Sequence, residues 1–183
     1  MINVNEDAFS SSQVGSKIWL CEELERLGWE SHYTYIYAGW YGVTAFLLLS
    51  RGNFKVNNIR SVDRDPECEA VADALNNLWV WQRWKFKAIT DDCNFIQAPV
   101  APDLIINTST EHFHSKDWFD NIPAGTRVVL QGNNMPHDDH FSEFDSAEEF
   151  ASEFNLTTVD FLGTKEFVYP DWSFNRYMLI GTK

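Results

Sequence analysis

Two glycines and an acid have the types and spacing to hold a nucleotide-like ligand. Gly39 and Gly42 lie between the tyrosine-rich run 33–37 and an apolar run that begins at Val43. Glycines let the backbone approach a ligand, and a helix that follows them offers free N–H groups. Asp63 comes about 20 residues later, where a carboxylate can accept hydrogen bonds from a ribose diol. The alternative is a turn without a ligand, in which Asp63 only caps the next loop.

A second polar group extends from Asn107 to His114 and contains an amide, three hydroxyls, Glu111 and His112. It follows an apolar run, and open α/β sheets bind ligands beyond the carboxyl ends of their strands. Glu111 or His112 could act as a general base or could orient a substrate. The alternative is a polar loop that caps a short helix.

Histidines and acids also raise the question of a metal. The group consists of His112, His114, His137, Asp138, Asp139 and His140. Known zinc sites have more tightly specified ligand spacing than His-Asp-Asp-His. We therefore expect no metal, and we interpret these residues as polar loops.

The elements that must position these residues alternate along the chain. Strands are expected at 33–37, 58–63, 85–90, 103–109, 127–131, 157–161 and 176–182, and helices at 17–27, 43–50, 65–78, 116–121 and 146–154. Such alternation predicts a Rossmann-like, doubly wound α/β fold with a mostly parallel seven-stranded sheet and helices on both faces. The last two strands lack a helix between them, so we expect an antiparallel C-terminal hairpin. The segment 163–175 is rich in aromatics and turn residues.

Composition limits the class of protein. The 183 residues favour a single domain over 1–183, with residues 1–13 as a loose N-terminal arm without a signal peptide. A net charge of −13 argues against a nucleic-acid partner. The sequence contains no run of 18 apolar residues, so we expect no membrane span. Three widely spaced cysteines favour reduced thiols in a cytoplasmic protein.

Tryptophans fall in two groups. Trp79, Trp81 and Trp84 are expected to pack in the core in preference to stacking on a purine. Trp40 and Tyr41 lie inside the glycine turn, where they could pack over a ligand or form a wall of a substrate pocket.

From residue 33 to the end, the order of elements resembles the class I S-adenosylmethionine-dependent methyltransferases. The resemblance rests on the turn 38–42, on Asp63, on Asp91 or Asp92 after the third strand, and on the segments 122–130 and 176–183. It implies S-adenosylmethionine as cofactor, held by Tyr37, Ala38, Gly39, Gly42, Asp63, Arg64, Asp91, Asp92 and Asn107. It also implies methyl transfer, with Asn107, Glu111 and His112 as catalytic residues.

The chain departs from the family at two places. The first strand offers tyrosines where the family has an acid before the glycines, and only two glycines are present. The run Asn107–His112 is not of the Asn-Pro-Pro-Tyr type, so it gives no support for methylation of an exocyclic amine of adenine or of glutamine.

Four functions stay open at this point. We expect a methyltransferase with a small-molecule acceptor, in preference to a protein acceptor. The alternatives are a non-catalytic binding protein on the same fold, an enzyme that transfers another group from S-adenosylmethionine, and a nicotinamide-dependent oxidoreductase. The last is disfavoured because tyrosine replaces the first glycine of Gly-x-Gly-x-x-Gly.

Overall fold

Strands and helices alternate along residues 4–183, the part of the chain that the computed structural model describes. The strands are β1 Glu30–Tyr37, β2 Lys55–Asp63, β3 Phe86–Thr90, β4 Leu104–Asn107, β5 Arg127–Asn133, β6 Thr158–Val168 and β7 Ser173–Thr182. The α-helices are α1 Ser11–Leu27, α2 Val43–Arg51, α3 Pro66–Leu75, α4 Asn77–Trp81, α5 Asp117–Asp120 and α6 Ala147–Glu153. Two 3-10 helices cover Glu6–Phe9 and Thr110–His112.

The strands form one seven-stranded sheet in the order β3-β2-β1-β4-β5-β7-β6. β2 pairs in parallel with both β1 and β3. β7 is antiparallel to β5 and to β6. The predicted fold, a doubly wound sheet with an antiparallel C-terminal hairpin, is confirmed.

The chain forms two compact units, Met1–Ile106 and Asn107–Lys183. In the first, β1 and β2 bury residues such as Ile36 and Ile59 completely. In the second, the core contains Val129, Phe150 and Leu179. A single-domain organisation over 1–183 stays a prediction.

The N-terminal segment differs from the expected loose arm. Residues 1–3 of that arm lie outside the described residues, but the 3-10 helix Glu6–Phe9 is ordered and Ala8 is buried. α1 begins at Ser11 because the Ser10 hydroxyl accepts a hydrogen bond from the Gln13 N–H. We had predicted a start at residue 17 because the apolar stripe of the helix begins there, several residues after the capping residue Ser10.

Two further expectations were wrong. Trp81 and Trp84 are 80% and 62% exposed, so they do not pack in the core. The hairpin strands are longer than the expected 157–161 and 176–182, because β6 and β7 extend through most of 163–175. None of the described helices has both the length and the apolar character needed to span a membrane.

Candidate functional site

The glycine turn between β1 and α2 has an unusual backbone. Ala38, Trp40 and Gly42 have φ values of 47°, 46° and 71°. For a residue with a side chain, this left-handed region costs about 1–3 kcal/mol and persists only when surrounding contacts enforce it. Such strain is concentrated at ligand-binding sites and active sites, which makes this turn the first candidate.

Asp63 provides the contacts that hold the turn. Its Oδ2 accepts a hydrogen bond from the Trp40 N–H at 2.9 Å, and its Oδ1 accepts one from the Asp65 N–H at 3.0 Å. The Gly39 N–H donates to the Val62 carbonyl at 3.0 Å. The carboxylate at the end of β2 is therefore tied directly to the turn after β1.

Both glycines are required by close packing. A Cβ on Gly39 would overlap Ser61 Oγ, and a Cβ on Gly42 would lie 2.8 Å from Asn76 Nδ2. Asn76 is fully buried and donates from Nδ2 to the Gly42 carbonyl at 3.1 Å and to the Ala72 carbonyl at 3.0 Å. Ser61 Oγ is buried and has no hydrogen-bond partner among the described residues.

Trp40 and Tyr41 pack against the N-terminal segment. Their rings stack with centroids 5.0 Å apart, and Tyr41 shares a buried cluster with Ala8, Cys68 and Val71. The Asn5 N–H donates to the Tyr41 hydroxyl at 3.3 Å. The segment expected to be loose therefore covers one side of the glycine turn.

The turn after β3 lies beside the other two. The Asp91 N–H donates to the Asp63 carbonyl at 3.0 Å, while Asp92 Oδ1 accepts from the Asn94 N–H. Burial raises the pKa of the Cys93 thiol to about 12, and a hydrogen bond from the Ala38 backbone opposes that rise. The turns after β1, β2 and β3 thus converge, as the carboxyl ends of parallel strands do.

The predicted cofactor residues of the first unit all fall on these three turns or on the strand ends next to them. They are Tyr37, Ala38, Gly39, Gly42, Asp63, Arg64, Asp91 and Asp92. Tyr37 is buried, and desolvation raises the pKa of its hydroxyl. Arg64 and Asp91 are exposed, and Asp63 is half-buried. Their role as cofactor ligands stays a prediction.

Asn107 and Glu111 belong to a buried polar network of the second unit. Asn107 Oδ1 accepts from the Ser109 N–H at 2.9 Å, and its Nδ2 is buried without a partner among the described residues. Glu111 Oε1 accepts from Arg176 at 3.2 Å and also from Asn133 Nδ2. Glu111 and Arg176 are only 2% and 4% exposed. The predicted catalytic role of Asn107, Glu111 and His112 is not tested by this geometry.

Two of the loop histidines lie beside Glu111. The imidazole rings of His112 and His140 form an edge-to-face pair with ring centroids 4.8 Å apart. Burial lowers the pKa of His140. His114 instead packs its ring against Phe141.

Sequence reasoning missed the residues that support the two groups, namely Ser61, Asn76, Asn133 and Arg176. Asn76 falls inside the expected helix 65–78 with nothing to mark it, and Arg176 is separated from Glu111 by 65 positions. A partial signal existed at Arg176, because a charged residue at the start of an otherwise apolar final strand needs a buried partner.

Comparison with known proteins defines the class of fold. No protein-family model matches the sequence, and no curated protein matches it either. Solved structures do match, and the fold is that of the class I S-adenosylmethionine-dependent methyltransferases.

Two of these structures illustrate the likeness. One is the N-methyltransferase NodS from Bradyrhizobium japonicum in complex with S-adenosylhomocysteine, with 11% identity, a TM-score of 0.68, and coverage of 94% of this chain and 88% of that one. The other is magnesium protoporphyrin IX methyltransferase from Synechocystis with bound S-adenosylmethionine, with 10% identity, a TM-score of 0.68, and coverage of 98% and 85%. At such identities the likeness shows the fold.

Proposed function

We propose that this protein is an S-adenosylmethionine-dependent methyltransferase with a small-molecule acceptor. The observation that carries the proposal is the strained glycine turn tied to Asp63, on a fold whose solved examples include methyltransferases with bound cofactor or its product. Left-handed residues with side chains, such as Ala38 and Trp40, are concentrated at ligand-binding sites and active sites.

The polar groups at the turn fit a nucleoside. Each carboxylate oxygen of Asp63 accepts one backbone N–H, so each keeps a lone pair for a ribose hydroxyl. The carboxylate is only half-buried and can therefore be reached. Ser61 Oγ lies next to Gly39 and is buried without a hydrogen-bond partner in the described part of the chain, so it is a further group that a bound ligand could satisfy.

Each residue has a definite task in this proposal. Asp63 holds the ribose, Gly39 and Gly42 allow close approach of the backbone, and Asp91 or Asp92 borders the adenine. Tyr37, Ala38, Arg64 and Asn107 complete the proposed cofactor set. When bound, S-adenosylmethionine supplies an electrophilic methyl group on a sulfonium. The protein aligns the acceptor with that methyl and excludes water.

The acceptor is proposed to meet Asn107, Glu111 and His112. His112 is exposed and accessible to an acceptor, whereas buried Glu111 is held by Arg176 and Asn133 and is suited to orienting a neighbour. A cavity of about 310 Å³ in the same unit is bordered by Thr110 and Phe113, the residues on either side of Glu111 and His112, and has the size of a small-molecule site. A net charge of −13 disfavours a nucleic-acid acceptor.

The three free cysteines are consistent with a cytoplasmic protein.

Calorimetric titration with S-adenosylmethionine and S-adenosylhomocysteine tests the proposal. We expect micromolar binding that weakens by roughly 10- to 100-fold in Asp63→Asn, because a hydrogen bond to a charged group is lost. Asp65→Asn is the matched control, since it removes the same charge two residues away and asparagine also caps a helix. Equal affinity in both variants would refute the role of Asp63.

A non-catalytic binding protein is the second candidate. The observation that favours it is buried Tyr37 at the place where the family has an acid. Turnover separates the two, because a binding protein would bind S-adenosylmethionine and release no S-adenosylhomocysteine with any acceptor. Release of methylthioadenosine would instead indicate transfer of the aminoalkyl group.

A further inference from the structure

Three side chains of the second unit are arranged as metal ligands, although their spacing in sequence led us to expect no metal. Glu111, His112 and His140 each offer one ligand atom, and these atoms all lie within 4.8 Å of one another. Zinc bonds of about 2.1 Å in a tetrahedral site place ligand atoms roughly 3.4 Å apart. A shift of about an ångström in the side chains would close the site. We propose that Glu111, His112 and His140 bind a divalent first-row transition-metal ion such as Zn²⁺.

The backbone sets both histidines in the tautomer that binds metals through Nε2. His112 Nδ1 lies 3.1 Å from the Asp139 carbonyl, and His140 Nδ1 lies 2.8 Å from the Met135 carbonyl. A carbonyl oxygen can only accept, so each Nδ1 carries the proton and each Nε2 keeps its lone pair. Metal-binding histidines commonly donate their other N–H to such a carbonyl, which fixes the orientation of the ring.

Glu111 offers one oxygen to a ligand while the other is held. Oε1 accepts from Arg176 and Asn133, whereas Oε2 is buried without a hydrogen-bond partner among the described residues. A buried carboxylate oxygen without a partner is costly, and a cation would satisfy it. This unsatisfied oxygen is an observation independent of the histidine cluster, and it points to a ligand.

A main-chain contact brings the two loops together. The Phe141 N–H donates to the Glu111 carbonyl at 2.8 Å, which places His140 next to the 3-10 helix that carries Glu111 and His112. His137 and His114 are not among the three clustered residues.

The donor set selects the kind of ion. Two imidazole nitrogens and one carboxylate oxygen suit Zn²⁺, Fe²⁺ and related ions, whereas Mg²⁺ and Ca²⁺ prefer oxygen ligands. Three protein ligands leave at least one coordination position open, and His112 is exposed, so water or an oxygen ligand can reach it. The Arg176 guanidinium reduces the negative charge at Glu111, and we therefore expect micromolar affinity.

Titration of the chelator-treated full chain with Zn²⁺, followed by calorimetry, tests the site. We expect one ion per chain, with no comparable binding of Mg²⁺. His112→Ala and His140→Ala should each lower the zinc affinity by more than roughly 100-fold, which exceeds the usual loss for a residue that only supports a ligand. His114→Ala is the matched control, because it removes a neighbouring exposed histidine and should leave the affinity unchanged.

The readout does not depend on methyl transfer or on any cofactor. His112 is exposed, so His112→Ala is expected to fold, and circular dichroism checks that it does. A folded wild-type chain that binds no Zn²⁺ would overturn the proposal. So would zinc binding that survives both His112→Ala and His140→Ala.

Discussion

The substitution Asp63→Asn is expected to destabilise the protein even without a ligand. In the native chain the carboxylate accepts the Trp40 N–H at 2.9 Å and the Asp65 N–H at 3.0 Å. Asparagine has one oxygen, so one of these N–H groups must face an amide NH₂ group. One of the two contacts, the one to the strained turn or the one to the residue that caps α3, is then lost.

The size of the effect follows from the bonds that are lost. A hydrogen bond to a charged group contributes about 1.5–3 kcal/mol, and the half-buried position of Asp63 favours the lower end, so we expect about 1–2 kcal/mol. For a chain of this length that corresponds to a fall of about 2–8 °C in Tm. Urea denaturation followed by circular dichroism measures the free energy of unfolding.

Asp65→Asn again serves as the control. Its side chain caps α3 by accepting from the Glu67 N–H at 2.9 Å, a task that asparagine performs about as well. We expect a change below about 0.5 kcal/mol for this variant. If Asp63→Asn were as stable as Asp65→Asn, Asp63 would not hold the turn and our reasoning about the strain would be wrong.

Gly42→Ala should lower the free energy of unfolding, measured by urea denaturation, by about 1–3 kcal/mol more than Gly52→Ala does. Both glycines have φ near 70°, but of the two only Gly42 lacks space for a Cβ, so equal losses would contradict this packing argument. Arg176→Met should lower stability by about 3–5 kcal/mol, since it leaves buried Glu111 without its charged partner; an unchanged midpoint would show that the pair is unimportant. Burial raises the pKa of the three cysteine thiols to about 12. The unfolded thiols lose protons from about pH 8.5, so the free energy of unfolding should fall between that pH and about 12, by up to about 1.4 kcal/mol per thiol per pH unit. A variant with all three cysteines replaced by alanine should lose the slope between about pH 8.5 and 10, below the range in which the unfolded tyrosines lose protons, and an identical slope there would refute the assignment.

The fold could be predicted because its signals are local and repeated. Alternating apolar strands and amphipathic helices indicate a parallel sheet. Asp63 was predicted to end the second strand, and it is the last residue of β2. The convergence of the three turns then follows from the parallel pairing of β1, β2 and β3.

Features that depend on distant contacts could not be predicted. The tryptophans of α4 have apolar side chains, but nothing in their spacing reveals that Trp81 would be exposed. The partners Glu111 and Arg176 are 65 positions apart, and His140 reaches Glu111 only through a main-chain contact of Phe141. The strain at Ala38 and Trp40 was also invisible, because residues with side chains are rarely found at positive φ.

Thermal unfolding with S-adenosylhomocysteine or NADH tests the proposed cofactor most directly. A ligand at 100 times its Kd stabilises the native state by about 2.7 kcal/mol, so S-adenosylhomocysteine should raise the Tm by about 5–11 °C. NADH should leave the Tm unchanged. Stabilisation by NADH alone, or by neither ligand in a folded protein, would contradict a methyltransferase site at the glycine turn.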